Sequence, residues 1–165
     1  MIIRMAKILL ISAIALFYTI VVFNNITDYN SNYLFVSHVL SMDSTFPGNN
    51  GMWRAVHSDF IYHSFYHSII AWEALTAVLG WTGAVLLLKK LNAPAASFNF
   101  AKRISVAALT LSMLMWLVAF LTVGAEWFLM WQSKTWNGQE AAFRMFTVVG
   151  IISIFLVMPD VEGQA

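Results

Sequence analysis

Four long stretches of mostly apolar side chains alternate with polar segments along the chain. An α-helix needs about 20 predominantly apolar residues to cross the hydrocarbon core of a bilayer, so each stretch is a candidate transmembrane helix. The predicted spans cover residues 8–23, 60–88, 104–131 and 141–158. The pattern therefore predicts a single all-α integral membrane domain over residues 1–165, built as a bundle of four transmembrane helices.

The first apolar stretch is the shortest, and Arg4 and Lys7 precede it. A secretory signal peptide has the same basic flank, so a cleaved signal peptide is an alternative interpretation. The stretch ends at Phe23-Asn24-Asn25, which lacks the small residues that a cleavage site requires. We therefore expect an uncleaved first transmembrane helix.

The connection over residues 24–59 is long, polar and interrupted by Pro47-Gly48. Within it, apolar residues recur at helical spacing: Tyr33, Leu34, Val36, Val39 and Leu40. This predicts a short helix in a long first outer loop. The helix could lie in the membrane interface, or it could pack over the end of the bundle, and the pattern leaves both open.

Composition agrees with a membrane protein and removes several function classes. Hydrophobic residues make up 60% of the chain and charged residues 10%, whereas soluble domains have about 25% charged residues. A net charge of +1 gives no electrostatic reason to expect nucleic acid. The absence of cysteine excludes disulfides and thiolate chemistry. No phosphate-binding loop, G-x-S-x-G or H-E-x-x-H motif occurs, so we expect neither enzymatic activity nor a cofactor.

The basic residues predict an orientation, because cytoplasmic loops carry an excess of Lys and Arg. With a cytoplasmic N-terminus, the residues on that side are Arg4, Lys7, Lys89, Lys90, Lys102 and Arg103. Only Arg54, Lys134 and Arg144 fall on the other side. Both termini are therefore predicted to be cytoplasmic. Six aromatic residues cluster at the opposite boundary, where amphipathic rings prefer to sit: Trp53, Tyr62, Tyr66, Trp127, Trp131 and Trp136.

Charged side chains inside a membrane are costly and need a structural or functional reason. At 1.5 Å per residue, Glu73 lies about 24 Å from Lys89 and Arg144 about 22 Å from Pro159, which puts them at one depth. By the same measure Glu126 and His67 form a second level pair, about 34 and 33 Å from the basic boundary. We expect these four residues to form an intramembrane polar cluster.

Two stripes of small and polar residues support this cluster. On the second span the stripe is Glu73, Thr76, Ala77, Gly80 and Ala84. On the third span it is Ala108, Ser112, Ala119, Thr122 and Glu126. Small residues let helices approach closely, so both glutamates are expected inside the bundle, within reach of Arg144. The favoured interpretation is an ion-pair cluster that fixes helix register. One alternative is a proton- or ligand-handling site that is open to the outer face. Another is that Glu126 lies among the lipid headgroups and that Glu73 is protonated.

His63 and His67 lie on one helix face and could bind a metal with a third ligand, or supply an axial ligand to haem. No other predicted span carries a histidine. The favoured interpretation is therefore a pair of interface histidines that hydrogen-bond to Tyr62, Tyr66 or Glu126.

Several segments resemble a known family. They are Asn24–Asn32, Met42-Asp43 with Thr45–Gly48, Ala71–Thr76 and, most specifically, Gly124–Arg144. The sequence resembles an uncharacterised bacterial family, a domain of unknown function described as predicted small integral membrane protein, over nearly its whole length. The resemblance implies a bacterial inner-membrane location and transfers no catalytic or binding residue.

These observations favour a non-enzymatic accessory or assembly subunit of a larger membrane complex, of the respiratory or photosynthetic kind. Its partners would be the lipid bilayer and other membrane proteins or further copies of the chain, and the tryptophans would form the partner surface. One alternative is a small transporter or proton-coupled carrier that uses Glu73, Glu126 and Arg144, as a homodimer because four spans are few for alternating access. A second is a haem- or quinone-binding protein built on His63 and His67.

Overall fold

The computed structural model describes residues 1–162, and over that range its regular secondary structure consists of helices, without a strand. Its α-helices are α1 (Ile2–Thr27), α2 (Tyr29–Ser41), α3 (Asp59–Lys89), α4 (Ala95–Leu114) and α5 (Gln139–Val157). The helix α4 continues without interruption into a π-helical segment, Met115–Trp127. Four helices are long and apolar enough to cross a membrane: α1, α3, α4 with the π-helical segment, and α5. The predicted four-span all-α architecture is confirmed.

The helices extend beyond several predicted boundaries. The most informative error concerns the third span, which was predicted to begin at residue 104 after a connection. The helix begins at Ala95, directly after Pro94, because proline is well tolerated at a helix N-terminus. Lys102 therefore lies inside the helix. The helix ends at Trp127 rather than at residue 131, and Leu129 adopts a left-handed conformation with φ 55°.

The helix α3 makes its most extensive contacts with α1 and with α4. Glycines permit both close approaches. A methyl group at Gly80 would lie 2.9 Å from Cβ of Ala15 on α1. A methyl group at Gly83 would lie 2.8 Å from the backbone nitrogen of Ser105 on α4. The stripe of small residues predicted on the second span thus lies on the part of α3 that contacts α1, and the neighbouring Gly83 contacts α4.

The stripe predicted on the third span is correct only in its first half. Ala108 and Ser112 are buried on α4, whereas Thr122 and Glu126 on the π-helical segment are exposed. The i→i+5 pattern is visible in the hydrogen bond from Phe128 N to Val123 O at 3.0 Å. Because a π-helix turns less per residue than an α-helix, spacing counted on α-helical geometry assigns these side chains to the wrong face.

The two ends of the bundle differ in character. The basic end is defined here by Arg4, Lys7, Lys89, Lys90, Lys102 and Arg103. The opposite loop end is formed by residues 28–58 and 128–138, and α2 covers it. Val36, Val39 and Leu40 of α2 are buried in a hydrophobic cluster with Tyr66 of α3 and Phe128. The predicted loop helix therefore packs over the end of the bundle, while its position relative to a membrane stays a prediction.

Candidate functional site

Glu73 is buried in the bundle, with 6% of its surface exposed, and its bonded partner is an amide. Asn25 of α1 donates from Nδ2 to Oε2 of Glu73 at 2.7 Å. Asn32 of α2 donates to Oδ1 of Asn25 at 2.6 Å, and the Tyr66 hydroxyl donates to the Asn25 carbonyl at 3.4 Å. This chain of hydrogen bonds joins α1, α2 and α3 immediately below the loop end.

The expected ion-pair cluster of Glu73, Glu126 and Arg144 is not formed, and that prediction was wrong. Arg144 is exposed on α5, which packs against α1, α4 and the π-helical segment rather than on α3. Equal depth along the bundle therefore does not bring Arg144 to Glu73. Glu126 is exposed because the π-helical geometry rotates it outward. No ion pair within 4 Å involves these residues in the part of the chain that the structure describes.

The histidine pair lies at the surface and is held together by a tyrosine of α2. The Tyr29 hydroxyl lies 2.8 Å from Nδ1 of His63 and 3.2 Å from Nε2 of His67. Tyr33 stacks on the His63 ring with centroids 4.3 Å apart. The expected bonds to Tyr62, Tyr66 or Glu126 are replaced by this contact. Over residues 1–162, no group of three or more His, Asp or Glu side chains is placed to hold a metal ion.

Exposed aromatic residues at and next to the loop end form two edge-to-face pairs, and one of these pairs flanks Arg54. Trp53 is 71% exposed and meets Trp127 edge to face, with centroids 5.7 Å apart. The Arg54 guanidinium carbon lies 5.3 Å from the Trp53 ring and 5.0 Å from the Trp127 ring. Phe46 and Trp131 form a second edge-to-face pair at 5.7 Å. We name Phe46, Trp53, Arg54, Trp127 and Trp131 the aromatic surface.

Hydrogen bonds hold the two segments of the aromatic surface together. Arg54 Nη1 donates to the Trp127 carbonyl at 3.1 Å. The Phe46 amide donates to Oε1 of Gln132 at 2.9 Å, and Ser44 Oγ donates to Ser133 Oγ at 2.8 Å. Trp136, which was predicted to belong to this surface, instead stacks on His38 at 4.5 Å and packs against the loop-end cluster.

The strongest ionic cluster lies at the basic end, and the sequence analysis missed it. Oδ2 of Asp160 accepts from Nζ of Lys102 at 2.6 Å and from Nζ of Lys7 at 2.8 Å. Nε of Arg4 lies 3.7 Å from Oδ1. Lys7 and Asp160 are buried, with 1% and 7% of their side chains exposed. The cluster joins α1, α4 and the segment after α5.

Backbone groups complete this cluster. Lys7 and Lys102 both donate to the Met158 carbonyl, at 2.7 and 2.8 Å. Asn99 and Asp160 exchange two hydrogen bonds, from Asn99 Nδ2 to the Asp160 carbonyl and from the Asp160 amide to Asn99 Oδ1. Burial alone would raise the pKa of the Asp160 carboxyl, but hydrogen bonds from Lys102 and Lys7 hold that pKa below its ordinary value. The sequence did contain a signal for this cluster: Lys7 is a basic residue just before the first predicted span, and Asp160 is an acidic residue just after the last one.

The family model for predicted small integral membrane proteins, DUF2165, matches residues 3–159. The chain belongs to this family. Neither the curated proteins nor the solved structures contain a match. The resemblance noted in the sequence is thereby confirmed, together with the integral membrane character of the chain.

The matched range of this DUF2165 protein contains both the aromatic surface and the Asn25–Glu73 pair. Asp160 lies one residue beyond the matched range, although its partners Lys7 and Lys102 lie within it. The geometry of the sites differs between the two ends of the bundle. The basic end is a closed set of ion pairs, whereas the loop end presents exposed aromatic rings around an arginine.

Proposed function

We propose that this protein is an accessory or assembly subunit of a larger membrane complex and that it binds its partner through the aromatic surface. The carrying observation is the exposed Trp53, held against Arg54 and Trp127 in a fixed arrangement. Tryptophan and arginine are the residues most enriched at interface positions that dominate binding energy. Surfaces that are already ordered lose less conformational entropy on binding.

The charge of the aromatic surface favours an acidic partner. Within residues 1–162, Arg54 has no carboxylate within 4 Å, so its positive charge is not neutralised by an ion pair there. An Arg flanked by aromatic rings binds a carboxylate with two parallel hydrogen bonds and also stacks on planar groups. The proposed partner is a second membrane protein whose segment outside the bilayer presents an acidic side chain beside apolar ones.

The proposal includes an orientation. The basic end would face the cytoplasm of a bacterial cell, with the chain in the inner membrane and both termini cytoplasmic. The aromatic surface would then face the outer side of that membrane. The larger complex in this proposal would be of the respiratory or photosynthetic kind.

Site-specific photo-crosslinking in living cells tests the proposal. A benzoylphenylalanine at position 53 should give one discrete adduct with another membrane protein, and the Arg54→Ala change should abolish that adduct. The purified partner should then bind the intact chain in nanodiscs and bind Arg54→Ala much more weakly. Cross-links to lipid or to the chain itself alone would contradict the proposal.

A matched control exists at the other end of the bundle. Phe100 is 64% exposed, and the Arg103 guanidinium carbon lies 4.0 Å from its ring centroid, so this pair imitates the chemistry of Trp53 and Arg54. Benzoylphenylalanine at position 100 should not capture the same partner, and Arg103→Ala should leave the adduct at position 53 intact. Equal effects at both ends would indicate general contact of exposed aromatic residues with the membrane.

A further inference from the structure

An apolar cavity of about 240 Å³ lies between α3, the π-helical segment and α2. Phe65 and Trp72 line it from α3, Ala119 and Gly124 from the π-helical segment, and Val36 from α2. The smallest side chains are on the π-helical wall, and they leave the space that larger residues would fill. π-Helical geometry is rare, and the single-turn bulges in which it mostly occurs are frequent at functional sites.

The polar atoms of the cavity wall are already bonded within the protein. Ser68 is the hydroxyl residue of the lining, and its Oγ donates to the Phe65 carbonyl at 2.7 Å. The indole Nε1 of Trp72 donates to the Leu111 carbonyl at 3.0 Å. The wall therefore offers no unsatisfied donor to water or to a polar ligand. Apolar cavities of about 150 Å³ stay dry and bind a hydrocarbon such as benzene, so this larger one has room for a length of alkyl chain.

The mouth of the cavity is continuous with the lipid-facing surface of the bundle. Phe65, Trp72 and Val118 line the cavity and are also exposed on the outside of membrane-spanning helices. At the loop end α2 covers the cavity, because Val36, Val39 and Leu40 belong to its lining. The opening is therefore sideways, toward the hydrocarbon of the bilayer.

We infer that this cavity binds one acyl chain of a membrane phospholipid. The site is separate from the aromatic surface, which consists of other residues. The acyl chain of a phospholipid bound here would pack against α2, α3 and the π-helical segment and fill the space between them.

Photolabelling in liposomes tests the inference. The probe is a phosphatidylethanolamine with a diazirine at the end of one acyl chain, and the labelled residues are mapped by peptide mass spectrometry. Label should concentrate on Trp72 and residues 118–124, above the level on lipid-facing residues elsewhere. Labelling no stronger there than on other lipid-facing residues would overturn the inference. The inference would also be overturned if the purified protein retained an isoprenoid quinone rather than a phospholipid.

Variants that fill the cavity give the sharper comparison. Ala119→Phe should lower labelling of the cavity residues several-fold, whereas Leu117→Phe on the exposed side of the same segment should not. Gly124→Leu is a second filling variant, because a Cβ there meets ordinary contacts of 3.4 Å or more. Far-ultraviolet circular dichroism and thermal unfolding in detergent identify a variant that fails to fold. Equal labelling in folded filling and control variants would overturn the inference.

Discussion

Lys7 and Asp160, separated by 153 positions in the chain, form a buried ion pair with Nζ and Oδ2 2.8 Å apart. Lys102 shares the same carboxylate oxygen at 2.6 Å. One acidic residue after the last helix thus neutralises basic residues from α1 and α4, and it connects three segments that are distant in sequence.

Removing the Asp160 carboxylate should destabilise the bundle strongly. Asp160→Asn leaves two buried ammonium groups without a counter-charge, and breaking a buried pair in this way costs about 3–5 kcal/mol. Unfolding in mixed micelles with increasing dodecyl sulfate measures the change. Glu126→Gln is the control, because Glu126 is exposed and unpaired within residues 1–162, and it should change stability by less than about 0.5 kcal/mol. Similar losses in both variants would refute the assignment.

The same cluster should make the stability of the fold depend on pH in the acidic range. The pKa of Asp160 is held below its ordinary value of 3.8, so its contribution is fully present above that value. The contribution is lost as the pH falls through the lower folded-state pKa. Thermal unfolding between about pH 5 and pH 2 should therefore show a loss of stability below about pH 4 that is smaller in Asp160→Asn. Asp59→Asn, an exposed change on α3, should keep the loss.

The hydrogen bond from Asn25 to Glu73 should contribute more to the stability of the fold than Arg144 does. Asn25→Ala removes the donor to a buried carboxylate and should cost about 1–3 kcal/mol of unfolding free energy. Arg144→Ala should be within about 0.5 kcal/mol of the natural sequence because Arg144 is exposed and reaches no glutamate. Dodecyl sulfate titration compares the two variants. A larger loss for Arg144→Ala would restore the ion-pair interpretation.

The close contact of α3 with α4 gives a prediction about two glycines. Gly83→Ala places a methyl group 2.8 Å from Ser105 N and closer still to its hydroxyl, so the helices must move apart. Overpacking of this kind costs about 1–3 kcal/mol. At Gly150 the nearest atom outside its own helix is Met113 Cε at 3.8 Å, so Gly150→Ala should be neutral or stabilising by up to about 1 kcal/mol. Thermal unfolding in detergent should separate the two, and equal destabilisation would contradict the described helix contact.

Hydrophobic patterning was sufficient for the number of spans and for the buried face of α3. Gly80 and Glu73 are buried on that face as their spacing predicted, because α3 is a regular α-helix from end to end. Glu126 was misassigned because its position was counted with α-helical spacing through a segment that is π-helical. The sequence around residues 115–127 carries no proline or other residue that announces the change.

Other errors came from contacts that a linear pattern does not contain. Arg144 is level with Glu73, but depth says nothing about which helices are neighbours, and α5 packs against α1, α4 and the π-helical segment rather than against α3. Asn25 looked like the polar end of a span, whereas it is buried and bonded to Glu73. Asp160 lies just beyond the last predicted span, where the hydrophobic pattern gave it no role, although it is the centre of the ionic cluster at the basic end.

The position of Asp160 also bears on the order in which the protein is made. Lys7 and Lys102 are synthesised and inserted before their shared carboxylate exists, because Asp160 follows the last helix in the chain. Until translation reaches it, the two ammonium groups must rely on water and lipid phosphates, and α1, α4 and the segment after α5 are not yet joined. We therefore expect the final packing of this bundle to follow the insertion of its helices. A chain ended at Pro159 should enter the membrane and remain loosely packed, which protease digestion of membranes would detect as faster cleavage.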